Sequence, residues 1–391
     1  MRIYAVLLLA IGFVTTLCAQ PAASYYTSEA LDGKSGRDLE LALSAIVYPH
    51  TRISYDDLWD KFPTTDPGPA DSIPAGAKYT DLVYDMYAWM GMRPHYYSDG
   101  DHEQTTGINR EHAVPNSWWG AKAGNTEAYS DLHHLMPADG KANNKKSDYP
   151  LGTGAGIEGS TFTYTENSGC HLWTVTADDD GYGGGASRVW EPSDEYKGDF
   201  ARMYLYLACA YEGKLMWQTN YMFESDDQHY TTIKPWAKDV LLQWHRQDRI
   251  SDKERARNNA VESIQQNRNP FVDYPELVEY IWGNKSGEAF TLANAVSSYS
   301  DEYSHPQGEK TAHIYFARIA RIGMPFKAPK LTTNSDGALT YSSSNPDVAE
   351  VNVATGEVTI KAEGTAVITV TQAETATFTA ASASYMIKVI K

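Results

Sequence analysis

Apolar residues recur at helical spacing through the first part of this chain and at alternate positions near its end. Leu39, Leu43 and Ile46 fall on one side of a short amphipathic helix over residues 38–47. Phe200, Met203, Tyr204, Leu207, Ala208 and Tyr211 make residues 199–211 the clearest helix, with Asp199 placed to cap its start. Ser251 followed by Glu254 is a capping box, from which a helix runs to about Gln266. Residues 63–74 and 177–187 are rich in Pro, Gly and Asp and read as loops. No strand-helix alternation points to a parallel sheet.

The composition changes near Pro325. Lys and Arg thin out, and Thr, Ser, Val and Ala take over. Ala366, Ile368 and Val370 alternate with polar positions, as do Tyr385, Ile387 and Val389, and Thr355-Gly356 sits between two β-rich runs as a hairpin turn. The stretch from Tyr341 through Asn345-Pro346 to Gly364–Val370 resembles bacterial immunoglobulin-like (Big-type) domains. The resemblance implies spacing, adhesion or stabilisation, with contact to a surface or polymer as its partner role. The expected organisation is therefore an α+β domain over residues 24–325 and a small β-sandwich over 326–391. A core that small is marginal on its own.

The amino terminus reads as a signal peptide over residues 1–19: Arg2 gives the positive charge, residues 3–14 an apolar run, and residues 15–19 end in a small residue. The run is too short to span a membrane, and no later segment is apolar for long enough. An exported, extracellular or periplasmic protein is expected. Removal of the peptide leaves Cys170 and Cys209, which form one disulfide or stay as free thiols. The formal net charge is −17. A surface that binds phosphates is normally basic, so this balance speaks against a nucleic-acid partner unless a metal ion and a few cations act locally.

The chemistry is concentrated between Asn109 and Gly152. Arg110-Glu111-His112 is followed by Asp131, His133, His134, Pro137, Asp139, Asn143, Lys145 and Lys146. Glu111 and Asn143 both offer oxygen to a hard divalent cation such as Mg²⁺, with Ca²⁺ or Mn²⁺ as alternatives. His112 is a base that titrates near neutrality, suited to taking a proton from water. A metal on a phosphodiester stabilises the developing charge and the leaving oxygen. Pro137 suits the first turn of a short helix, with Asp139 in that turn and Lys145 and Lys146 at its end. Two short strands, residues 108–114 and a segment near Leu132, would complete a β-β-α unit. One tension stands in this reading. Neighbours on a regular strand face opposite sides, so Glu111 and His112 share a site only if the backbone is irregular or the metal lies to one side.

This window resembles the endonuclease I family of secreted or periplasmic nucleases, whose active sites are ββα-metal (His-Me finger) motifs. Glu191-Pro192 with Lys197 to Arg202 resembles the family's later helix, and Gln266 to Pro275 its closing motif, so the likeness spans roughly residues 37–285. It implies His112 as general base, Glu111 and Asn143 as metal ligands, and hydrolysis of DNA, with RNA as a second substrate, to 5′-phosphate products. Backbone contacts with little sequence preference are expected. Where the family carries Arg after the metal-binding Asn, Lys145 and Lys146 stand here, and Lys122 is the one cation between His112 and Asp131. Lys122, Lys146 and Arg268 are the candidate phosphate contacts; Asp131, His133 and His134 are candidate supports of the site.

Other readings compete with these. His133 and His134 with His112 are a candidate zinc set, as in a metallopeptidase, although neither His-Glu-x-x-His nor a Cys pair accompanies them. Asp178-Asp179-Asp180-Gly181 has consecutive acids, unlike a calcium loop, and reads as a solvated loop. Residues 246–268 carry six Lys or Arg against four Asp or Glu, either a phosphate-facing patch or a solvated helix face. A nuclease scaffold that has lost catalysis and acts as an extracellular binding protein is the rival function, against which the intact Glu111, His112 and Asn143 weigh.

Overall fold

Helices form where the apolar spacing places them, with ends set by polar caps. The computed structural model describes residues 20–68, 83–87, 108–119, 126–154, 160–164, 170–175, 182–218, 221–300, 303, 318–321, 337–373, 375 and 380–390. After the single turn α1 (Ser28–Leu31), helix α2 (Gly36–Val47) buries Leu39, Leu43 and Val47 along one stripe. Helix α3 (Leu58–Thr65) contains Pro63, inside the segment expected to be a loop. Complete burial of Leu58 and Phe62 holds that turn helical despite the lost N–H. Leu58 and Phe62 pack with Ile108, Leu132 and Leu135, and so back the strands that follow.

Strands β1 (Ile108–His112) and β2 (Leu135–Asp139) form an antiparallel ribbon with Glu111 opposite Met136 and His112 opposite Leu135. Helix α4 (Gly140–Lys146) follows at once and packs on both strands. Pro137 lies in β2 rather than in the helix. The described ribbon has two strands, so Pro137 sits on an edge, where a missing donor is tolerated. The helix starts instead at Asp139, whose carboxylate accepts from Lys141 N at 2.9 Å and Ala142 N at 2.8 Å.

Strands β3 (Thr161–Tyr164), β4 (His171–Thr174) and β5 (Arg188–Glu191) make an antiparallel sheet in that order. Helix α5 (Lys197–Ala210) is buried at every residue and forms the centre of the domain. It begins two residues before Asp199, which lies in the first turn and does not cap it. The hairpin β6 (Phe223–Ser225) and β7 (Thr231–Ile233) leads to α6 (Pro235–Gln247), α7 (Asp252–Gln265), α8 (Pro270–Asp273) and α9 (Leu277–Ile281). The capping box at the start of α7 is formed in both directions: Glu254 N donates to Ser251 Oγ at 3.1 Å, and Ser251 N to Glu254 Oε2 at 3.3 Å. Cys170, just before β4, donates to Tyr87 O, and Cys209 in α5 to Glu40 O; both are buried free thiols, so no disulfide joins them.

Near the C-terminus, β8 (Arg318–Arg321), β9 (Leu339–Ser343), β10 (Ala349–Val351), β11 (Val358–Ile360), β12 (Gly364–Gln372) and β13 (Ala381–Ile390) build an immunoglobulin-like region. One sheet runs β8-β13-β12-β9, and β10 pairs with β11. Ala366, Ile368, Val370, Ile387 and Val389 face inward onto Val348 and Val358, as the alternation requires. Gly356 turns the β10–β11 hairpin at φ 71°, and a Cβ there would stand 2.7 Å from the Tyr341 ring, so both conformation and space require glycine. Strand β8 pairs parallel to β13, so this sheet takes in residues ahead of Pro325.

Buried charge fastens α7 and α8 together. Arg268, with its side chain at 0% exposure, gives Asp273 a two-pronged contact at 2.9 and 2.7 Å, and also reaches Glu262, Asn259 and Tyr299. The phosphate contact expected of Arg268 is not available in this arrangement, because its donors are committed inside the protein. Arg268→Met is expected to lower stability in urea unfolding by about 3–5 kcal/mol, since it strands a buried carboxylate. The KM of the folded fraction should be unchanged.

Candidate active site

The β1–β2–α4 unit gathers the chemistry that the sequence concentrates there. Its two central residues point apart, as a regular strand requires. Glu111 is buried at 5% exposure and accepts from Tyr87 Oη at 3.0 Å, while the Lys146 ammonium lies 3.1 Å from the same oxygen. Burial pushes its carboxyl above the ordinary value, and Lys146 and Tyr87 draw it back.

His112 faces a pocket of rings. Tyr55 stacks on it at 5.7 Å and 11°, with Tyr129 at 4.7 Å, His134 at 5.6 Å and Trp119 at 6.4 Å between centroids. Its Nε2 lies 2.9 Å from Tyr129 O. A carbonyl only accepts, so Nε2 carries the proton and the neutral ring keeps its lone pair on Nδ1. Burial, with the neighbouring His134, Lys146 and Arg110, lowers the imidazole pKa to about 3, well below the near-neutral value expected of the residue type, although the Tyr129 carbonyl favours the charged ring.

Asn143 and Lys146 are one turn apart on α4 and share a face. Lys146 reaches Glu111 from that face, so Asn143 is turned toward the same strand. Asn143 is half-buried, and its side chain has no hydrogen-bond partner among the described residues. Lys146, expected to meet phosphate, is instead fully buried on Glu111. Lys145 next to it is exposed, and Lys122 lies outside the described residues, as do residues 1–19 and 178–181.

The candidate supports sit behind the ribbon. Asp131 accepts from His133 N, Gln265 Nε2, Tyr206 Oη and Tyr211 Oη at 2.8–2.9 Å. Burial raises its carboxyl, but His50, His133, His134 and Gln265 outweigh this and hold it below the usual carboxylate range. His133 Nε2 is paired with Asn267 O, and His134 Nε2 donates to Ala128 O. His112, His133 and His134 therefore do not converge as a zinc set; among the described residues no three His, Cys, Asp or Glu side chains group as metal ligands.

Three contributors carry no local sequence signal. Tyr87 lies 24 residues before Glu111, in a short described segment that the motif does not include. Tyr55 and Tyr129 are two among many tyrosines, and only the fold selects them. Arg110 does have a signal, its place two before His112 on β1.

Comparisons with known proteins bear on the domain that holds this unit. A family model described as Endonuclease I matches residues 35–276, and one described as Intimin, immunoglobulin-like domain, matches residues 328–374. An extracellular ribonuclease of Bacillus subtilis (strain 168) is 32% identical over 273 residues, covering 68% of this chain and 82% of that protein. An extracellular ribonuclease of Bacillus amyloliquefaciens is 33% identical over 281 residues, covering 68% and 84%. No helix among the described residues is long and apolar enough to cross a membrane. With the match running from α2 to the start of α9 and enclosing the whole β1–β2–α4 unit, the chain belongs to the endonuclease I family of nucleases, and carries an immunoglobulin-like region after it.

Proposed function

We propose that the protein is an exported endonuclease that hydrolyses phosphodiester bonds of RNA and DNA through His112, with a divalent metal held by Glu111 and Asn143. The observation that carries this is the meeting of α4 with β1. One helix face presents Asn143 beside the Lys146 that pairs with Glu111, and His112 follows Glu111 on the strand; because the two face opposite sides of β1, the metal would lie to one side of the base. The two relatives are named extracellular ribonucleases, which supports export and RNA as a substrate.

The donor set fits a hard dication: one buried carboxylate, paired with Lys146 through Oε1, and one amide without a hydrogen-bond partner among the described residues, both offering oxygen. When bound, such an ion supplies charge neutralisation at the phosphate and the leaving oxygen. The protein's own groups do the rest. Tyr87 donates to Glu111 and fixes its carboxylate. The Tyr129 carbonyl holds the Nε2–H of His112, so Nδ1 is the atom that takes the proton of the attacking water. Tyr55, Tyr129 and Trp119 pack the ring in place and exclude bulk water around it. The products carry 5′-phosphate, and sequence preference is slight because backbone contacts carry the binding.

Plasmid DNA and an RNA homopolymer incubated with Mg²⁺, Mn²⁺, Ca²⁺ or EDTA test the reading. Cleavage should require the divalent ion, and His112→Ala should lose about 10²–10⁴-fold in kcat. A His112→Ala variant that cuts at the wild-type rate would remove His112 from the chemistry, and intact polymers under every metal would favour a binding role. Tyr87→Phe should raise the metal concentration needed for half-maximal activity about tenfold or more, because it frees the Glu111 carboxylate to turn.

The buried histidines set a pH dependence. His112 at about 3, His133 at about 4 and His245 at about 3 lie below the ordinary 6.5. As pH falls through 6.5 the unfolded chain takes up these protons first, so their contribution to stability is full above that value and is lost toward about 3–4. In NMR at pH about 5, these three rings should carry neutral-imidazole shifts. Protonated shifts there would contradict the packing described.

A further inference from the structure

We propose that Arg110 is a substrate-binding residue: its guanidinium, laid on the Tyr55 ring beside His112, takes a backbone phosphate next to the bond being cut. This rests on the nuclease reading above. Arg110 and His112 are two apart on β1 and so share a strand face. The Arg110 Cζ lies 3.8 Å from the Tyr55 ring centroid and 5.1 Å from that of Trp59. The same Tyr55 ring stacks on His112. One aromatic plate therefore sets both the cation and the base.

The donors of Arg110 are unevenly used. Nη1 takes both of its protein partners, Tyr55 O at 2.6 Å and Asp56 Oδ1 at 3.0 Å. Nη2 and Nε have no hydrogen-bond partner among the described residues. The side chain is 19% exposed, and its Asp56 partner 95% exposed, so that ion pair is weak in water and yields to a phosphate. Arg202, Arg257 and Arg268 are different, being buried on Glu254, Asp66 and Asp273, while Lys146 is buried on Glu111. Arg110 is thus the described cation of the β1–β2–α4 unit that pairs a fixed position beside His112 with open donors. A planar fork with Nη2 and Nε free matches two phosphate oxygens. It also gives a protein of net charge −17 a local grip on an anionic polymer.

The test is equilibrium binding of the full chain to a labelled, cleavage-resistant phosphorothioate oligonucleotide, followed by fluorescence anisotropy across a salt titration. Arg110→Gln should weaken binding about tenfold and make the slope of log Kd against log salt shallower by about 1. Arg110→Lys should keep the slope while losing part of the affinity, because the charge remains and the fork does not. In cleavage assays Arg110→Gln should raise KM, with kcat changed by less than about threefold. Unchanged affinity and salt slope would overturn the proposal and leave Arg110 as a prop for Tyr55. A fall in kcat at constant KM would overturn it too, by showing action through His112. Asp56→Ala gives a second arm that leaves Arg110 in place: binding should tighten about twofold to threefold, and no change would count against the proposal. Binding needs no bond cleavage, so a failure of the His112 reading shows separately, as a His112→Ala variant that still cuts.

Discussion

Asp131 is a carboxylate at 0% exposure in the middle of a packed domain, and its charge has to be met by hydrogen bonds. Two tyrosines of the α5 segment, a glutamine at the end of α7 and the amide of His133 meet it. These contacts fix the turn that feeds β2. Arg257 reinforces the same turn by donating to Leu132 O and Leu135 O at 2.7 Å while its Nε reaches Asp66. β2 in turn sets β1 and the start of α4. Where Glu111 and His112 stand is therefore decided by a buried anion and by groups far away along the chain.

The arrangement also changes the meaning of the net charge. Composition counts every Lys and Arg as a partner for an anion, but Lys197, Arg202, Arg257 and Arg268 are enclosed in internal ion pairs. Removing one partner from such a pair leaves a bare charge in low dielectric, so these cations are not free to turn outward. Each pair also withdraws an anion, so the acidic balance outside is not deepened, but fewer cations remain to meet a phosphate. Attraction must then come from a few local groups, and binding that depends on few cations is less sensitive to salt than binding along a basic groove.

Much of the framework was legible in the residues. The stripe of α2, the fully buried α5, the Ser251–Glu254 box and the alternation in β12 and β13 all follow from periodicity and capping, which are local. The immunoglobulin-like region announced itself by composition, though not β8, whose four residues pair with a strand more than sixty positions later. Pro137 misled because proline suits a helix start and a strand edge alike, and only the neighbouring strand decides. In the site, Glu111, His112 and Asn143 stand out by type and spacing. Tyr87, Tyr55 and Tyr129 do not, since their roles come from tertiary contacts between segments that no short motif joins. Lys146 and Arg268 were visible as cations, but burial decided that they neutralise carboxylates inside the protein.

The two thiols have a consequence of their own. Cys170 and Cys209 lie buried on separate elements, and burial together with Glu40 and Glu212 raises the Cys209 thiol far above its ordinary value. A protonated, enclosed sulfur is a poor nucleophile and exchanges slowly with disulfides. The fold around them therefore needs no oxidant to join the two sulfurs. With no bond between these two sulfurs to reduce, the fold around them does not depend on the redox state of its surroundings.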